Sequence, residues 1–178
     1  GWKIYWKHPG DAGLPPDISF KNSDLINNYE IKWPFPEQSI EPGGLLSRVY
    51  YGEVILPILL SIKKSARDIY LNGSLNYQVC EKICIPISTK INLFIPEGDG
   101  KKSIFSDKIQ KFISKVPINA NDLGINNKSI SLINKNKIVI NINSKFNIDD
   151  KSKVVALVNG PSHISYKSGE YKYDSKNN

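Results

Sequence analysis

Cys80 and Cys84 are the only cysteines among 178 residues, and three residues separate them. Leu75, Tyr77 and Val79 alternate with polar residues before the pair; Ile85, Ile87, Thr89, Ile91, Leu93 and Ile95 alternate after it. A period of two marks strands with one face turned to a core. In an extended strand, residues four apart lie about 13 Å from one another, whereas a disulfide needs its Cα atoms within about 7 Å. The sulfurs therefore meet only if Glu81, Lys82 and Ile83 turn the chain back. The segment reads as two strands joined by a tight turn, with a sulfur on each side. That turn holds no glycine, although short hairpin loops favour one. A strained, easily reduced bond of this kind suits exchange better than stapling.

The rest of the chain supplies the strands such a hairpin needs as neighbours. Trp2, Ile4 and Trp6 alternate with Lys3, Tyr5 and Lys7, as on a half-buried strand. Pro9, Gly10, Gly13, Pro15 and Pro16 then form a rigid, non-helical connection. A strand over Tyr29 to Trp33 ends at Pro34 and Pro36, and Pro42, Gly43 and Gly44 mark a loop. Within the apolar run Val54 to Ile62, Pro57 indicates an edge position or a bulge. Asn72-Gly73 reads as a turn ahead of the strand that carries Cys80. Short strands at close spacing, punctuated by Gly and Pro, predict an all-β sandwich.

The pattern changes after Gly100. Ile104, Phe105, Lys108, Ile109, Phe112, Ile113 and Val116 recur at helical spacing as far as Pro117. Period two then returns at Ile130, Leu132, Ile138, Ile140 and Ile142, and again over Val154 to Val158 and Ile164 to Tyr173. The expected organisation is one domain over residues 1–117, ending in a short helix, and a partial second β-rich module over 118–178. The abrupt start at Gly1-Trp2-Lys3 reads as the interior of a longer protein.

Charge and ligand chemistry narrow the function. The formal charge is +7, but the lysines are scattered and no basic stripe with interleaved aromatics appears, so no nucleic-acid partner is expected. No apolar run approaches the roughly 20 residues of a membrane span. A structural zinc site needs four ligands, and His8 and His163 lack ligand spacing to the cysteines. Covalent haem attachment needs two residues between the cysteines and a histidine directly after; here there are three, and Ile85 follows. No cofactor or metal is expected. His8, between Lys7 and Pro9, and His163, after Gly160-Pro161-Ser162, read as turn residues. Tyr50 and Tyr51 are either core aromatics or a cover for the sulfurs. Cys80 and Cys84 themselves have two readings. As a staple, so short a loop would add only about 2 kcal/mol; as an exchange site, the pair would react with another protein's sulfur.

Four ordered stretches carry a family resemblance: residues 1 to 16, Trp33-Pro34-Phe35-Pro36, Tyr51-Gly52 leading to Leu56-Pro57, and Val79-Cys80 to Cys84-Ile85-Pro86. Together they resemble the N-terminal periplasmic domain of the thiol:disulfide interchange proteins of the DsbD and ScsB type, over roughly residues 1 to 117. The resemblance implies an immunoglobulin-like β-sandwich on the periplasmic side of the bacterial inner membrane. It implies electrons arriving through a membrane-embedded segment of the same protein and a thioredoxin-like partner, then passing to periplasmic disulfide proteins. It places Cys84 as the sulfur that forms the mixed disulfide and Cys80 as the one that resolves it. The spacing is closer to the ScsB-like branch, whose systems are linked to copper tolerance, although the chain has no Met for a copper site. Arg48-Val49 stand before Tyr50-Tyr51 where the better-known branch is acidic. A cap by either tyrosine is thus implied, without acidic tuning of the thiols. The rival reading is an immunoglobulin-like envelope binding module with an inert disulfide.

Overall fold

A computed structural model of the chain describes residues 1–21, 26–63, 68–98, 100–118, 122, 126–133 and 137–143. His163 and the stretches Val154 to Val158 and Ile164 to Tyr173 lie outside the described residues. Two compact units divide the chain, one containing Gly1–Val116 and one starting at Pro117.

The first unit is an all-β, immunoglobulin-like sandwich with one short helix. Its strands are β1 (Lys3–Gly10), β2 (Asp17–Phe20), β3 (Ile26–Ile31), β4 (Glu37–Glu41), β5 (Leu45–Tyr51), β6 (Ile58–Ile62), β7 (Ile69–Cys80) and β8 (Cys84–Ile95). All pairings are antiparallel. The larger sheet runs β2-β7-β1-β5-β4, with β8 on the remaining side of β7; β3 and β6 make the smaller sheet. Tyr29 of β3 crosses to the larger sheet, where its hydroxyl donates to the Ile18 carbonyl at 2.9 Å and its ring meets Phe20 edge-on.

The hairpin expected at the cysteines is present. β7 and β8 stay in unbroken register from Ile69↔Ile95 to Cys80↔Cys84, and the Glu81 N–H closes the turn on the Ile83 carbonyl at 3.0 Å. Asn72-Gly73, however, is no turn. It lies inside β7, where Gly73 faces Phe20 of β2. A Cβ on Gly73 would stand 2.4 Å from the Ser19 carbonyl oxygen. The glycine serves a close approach of two backbones, the other common use of glycine in a strand.

The phase of β1 also differs from the expected one. Lys3 and Tyr5 are buried while Trp2 is 46 % exposed. Opposite β5 the register shifts between Tyr5 and Gly10, a bulge that turns Trp6 inward as well. Gly10 and Gly13 then let the following loop fold onto the sheet. Both have positive φ, 94° and 95°, which only glycine adopts at no steric cost. A Cβ on Gly13 would lie 2.1 Å from the Tyr5 ring. The loop is fastened to β5 by Asp11, whose N–H donates to the Leu46 carbonyl and whose carboxylate accepts the Leu46 N–H, and by the Ser47 hydroxyl, which donates to the Ala12 carbonyl.

Pro57 precedes β6 rather than interrupting it, and its carbonyl accepts the Lys32 N–H at 2.7 Å. The helical spacing before Pro117 resolves as α1 (Ser106–Ile113), which buries Phe112. Its end is tied back through the Phe35 N–H, which donates to the Lys115 carbonyl. In the second unit, β9 (Asn126–Ile133) and β10 (Lys137–Asn143) form an antiparallel hairpin, as the period-two pattern there predicts.

Candidate functional site

Cys80 and Cys84 form a disulfide, with Cα atoms 4.1 Å apart across the last rung of the β7–β8 ladder. The two sulfurs do not share one environment. Cys80 is 2 % exposed and packs with Tyr5 and Val49 in the core, because β7 has β8 on one side and β1 and β2 on the other. Cys84 starts β8, pairs only with β7 among the described residues, and is exposed. Ile83 and Ile85 on either side of it are exposed too. The arrangement offers one sulfur to solvent and keeps its partner inside.

The sheet register decides what shares a face with Cys80. Directly opposed residues of neighbouring strands project to the same side. Cys80 opposes Lys3, and Lys3 opposes Tyr51, which makes a row Cys80–Lys3–Tyr51 across three strands. Tyr50 opposes Ile4 and so projects to the other face. There it is buried, and its hydroxyl donates to the Pro34 carbonyl at 2.7 Å. That bond explains the local role of the Trp33-Pro34-Phe35-Pro36 stretch. Burial pushes the Tyr50 phenol pKa well up. Tyr51 is partly exposed, and its hydroxyl donates to Ser39 Oγ at 2.9 Å.

Lys3, Ser39 and Glu41 complete a polar cluster that sequence reasoning misses. Lys3 Nζ lies 2.7 Å from Glu41 Oε2 and 3.5 Å from Ser39 Oγ, and both ends of the ion pair are largely buried. Burial alone would lower the Lys3 pKa, but the hydrogen bond and charge of Glu41 outweigh it and hold the ammonium above its usual range. Burial first, and then the Glu41 charge, raise the Tyr5 phenol. The sequence holds one clue, since Lys3 sits between Trp2 and Ile4 in the aromatic-rich start of β1. Which phase of that strand faces inward becomes visible only with the bulge after Tyr5.

Other sequence candidates lie apart from this cluster. His8 packs edge-on against Trp6, with ring centres 5.6 Å apart, and its carbonyl accepts from Arg48. Among the described residues no group of His, Cys, Asp and Glu could hold a metal ion. No helix starts at either cysteine: Cys80 ends a strand and Cys84 begins one. The dipole that lowers a thiol pKa at a helix N-terminus is therefore missing here.

Comparison with known proteins places this geometry. A family model described as "Thiol:disulfide interchange protein DsbD, N-terminal" matches residues 1–96. Among solved structures, the N-terminal periplasmic domain of ScsB from Proteus mirabilis is similar at 30 % identity and a TM-score of 0.54. That match covers 66 % of this chain and 44 % of the ScsB chain, so the chain spans less than half of that relative. No curated protein matches. The family match takes in both cysteines and more than half of the sequence: this protein belongs to the DsbD N-terminal family of thiol:disulfide interchange domains.

Proposed function

We propose that residues 1–117 act as a protein-disulfide reductase module on the periplasmic side of the bacterial inner membrane. The module relays electrons from a membrane-embedded segment and a thioredoxin-like donor to periplasmic disulfide proteins. Residues 118–178 then belong to a separate, partial β-rich module. The observation that carries the proposal is the unequal exposure of the two sulfurs, 2 % for Cys80 against an exposed Cys84. Exchange needs an accessible attacking sulfur and a second one held close enough to resolve the intermediate.

In the reduced pair, the Cys84 thiolate attacks a partner's disulfide, and one partner sulfur leaves as a thiolate. The Cys80 thiolate then attacks Cys84 Sγ and expels the second partner sulfur. The net result is transfer of two electrons and two protons from the pair to the partner. With no helix dipole at the site, neither thiol is strongly activated in the isolated domain, and a docked partner supplies what is missing. Tyr51, on the sulfur-bearing face, shields the Cys80 side of the pair, while Cys84 stays open to the partner. Tyr50, the other tyrosine implied by the resemblance, is buried on the opposite face with its hydroxyl on the Pro34 carbonyl.

Trapping tests the reading. The Cys80→Ser protein should accumulate a mixed disulfide through Cys84 with periplasmic disulfide proteins, and Cys84→Ser should not. The wild-type pair should titrate at a midpoint above about −300 mV, since inert structural disulfides lie below that value. A lower midpoint, together with no trapped species, would make the bond a staple.

A further inference from the structure

We infer that Ser39 is a positioning residue for the exchange reaction: it pins Tyr51 across the line along which a thiol would attack Cys80, and so directs the attack to Cys84. The inference deepens the exchange reading and rests on it.

A thiolate attacks a disulfide from the side opposite the sulfur that leaves, and the product depends on which of the two sulfurs it reaches. The bond lies across the strands, from Cys84 on β8 to Cys80 on β7. The row of opposed residues continues in the same direction to Lys3 on β1 and Tyr51 on β5, and opposed residues project to one face. The line of attack on Cys80 therefore runs over Lys3 and Tyr51. The line of attack on Cys84 leaves the row at its other end and meets neither.

Both residues on the Cys80 side are tied to β4, which turns Ser39 and Glu41 toward them and leaves Ile40 between the two exposed. The ties meet at Ser39 Oγ, which accepts the Tyr51 hydroxyl at 2.9 Å and lies 3.5 Å from Lys3 Nζ. They are not equally firm. Lys3 is buried and paired with Glu41 at 2.7 Å, and a buried ion pair resists the loss of either partner. Tyr51 is partly exposed, ends β5 and precedes Gly52, whose φ is 62°. Among the described residues its hydroxyl has Ser39 as its one partner. Tyr51 is thus the part of the block that can move, and Ser39 is what holds it.

The choice of sulfur decides whether exchange can finish. When a thiolate attacks Cys84, a new S–S bond forms there as the Cys80–Cys84 bond breaks. Cys80 leaves as a thiolate and takes up the proton that the incoming thiol lost. It stays in the core beside Cys84, placed to expel the visitor later. Attack on Cys80 would instead bury the mixed disulfide and leave the exposed Cys84 as the resolving thiol. A single neutral hydrogen bond is a modest restraint, so its loss should shift the choice several-fold while Lys3 keeps part of the block.

The test treats the oxidised 178-residue chain with 2-mercaptoethanol, quenches it in acid at successive times and maps the mixed disulfide at each cysteine by mass. The ratio of the Cys84 adduct to the Cys80 adduct is extrapolated to zero time, before either adduct migrates. In the wild type it should exceed about 10. Ser39→Ala and Tyr51→Phe should each lower it by about threefold or more. The double variant should fall no further than either single one, because both remove the same bond. Ser39→Thr, which keeps the hydroxyl, should keep the wild-type ratio. Urea midpoints of the same proteins separate a structural role from this one: a lowered midpoint with an unchanged ratio overturns the inference. An unchanged ratio in Tyr51→Phe overturns it even where Ser39→Ala does not fold. So do additive effects in the double variant, or equal adducts in the wild type, and both leave exchange standing. No adduct at either cysteine overturns the inference together with the reading beneath it.

Discussion

The two arms of the disulfide hairpin have the same alternating pattern and equal lengths, yet they occupy different surroundings. β7 has neighbours on both sides and buries Ile69, Leu71 and Cys80, whereas β8 buries none of its residues. The apolar positions of β8, Ile85, Leu93 and Phe94 among them, remain open. Periodicity sets which residues share a face, but strand order sets how far that face is covered. The cysteines at the tips inherit the difference, one fixed in the core and one offered to a visitor. A symmetrical hairpin thereby yields an asymmetrical pair of sulfurs, which is what ordered exchange requires.

The contrast can be broken most severely on the closed side. Lys3→Ala leaves Glu41 as a largely buried, uncompensated charge, which typically costs about 3–5 kcal/mol. Urea denaturation of the oxidised protein should show that loss. The double variant Lys3→Met/Glu41→Leu should recover most of it, because the pair is then removed rather than broken. The same pair has a pH signature. A raised lysine pKa in the folded state contributes stability that is complete below the unfolded value of about 10.4 and is lost as pH rises through the folded pKa. The raised Tyr5 and Tyr50 phenols act in the same direction. Unfolding midpoints should hold level from neutral pH to about 10 and fall above it, and the double variant should fall less.

A smaller effect is expected where β2 closes on β7. Gly73→Ala drives a Cβ into the Ser19 carbonyl, and overpacking of this kind costs about 1–3 kcal/mol. The smallest effect belongs to the open arm: Leu93→Ser on β8 should change stability by no more than about 0.5 kcal/mol, as for other exposed positions. If Leu93→Ser costs as much as Gly73→Ala, then β8 is covered in solution and the contrast between the arms is lost.

Much of this was legible in the residues, and the failures share one cause. Alternation on both sides of Cys80 and Cys84 predicts the hairpin, and the spacing from Ile104 to Val116 predicts α1. The ordered proline and cysteine stretches carry the family resemblance. Asn72-Gly73 misleads because glycine has two uses in β-proteins, turns and close backbone approaches, and only the presence of β2 separates them. The inward phase of β1 is hidden by the bulge after Tyr5, so Lys3 beside Cys80 cannot be foreseen from alternation. The partner of Lys3 lies 38 residues away at Glu41, and long-range pairing of this sort leaves no local pattern. Tyr50 and Tyr51 are adjacent, and one step of register sends them to opposite faces.

The central claim is that one sulfur is accessible and the other is not. Pulsed alkylation of the reduced 178-residue chain, with the modified cysteine identified by mass mapping across pH, tests it directly. Cys84 should be modified at least tenfold faster than Cys80, with a rate midpoint near the ordinary thiol value of about 8.5. Equal modification of both thiols, preferential modification of Cys80, or a Cys84 midpoint near 5 would contradict the account.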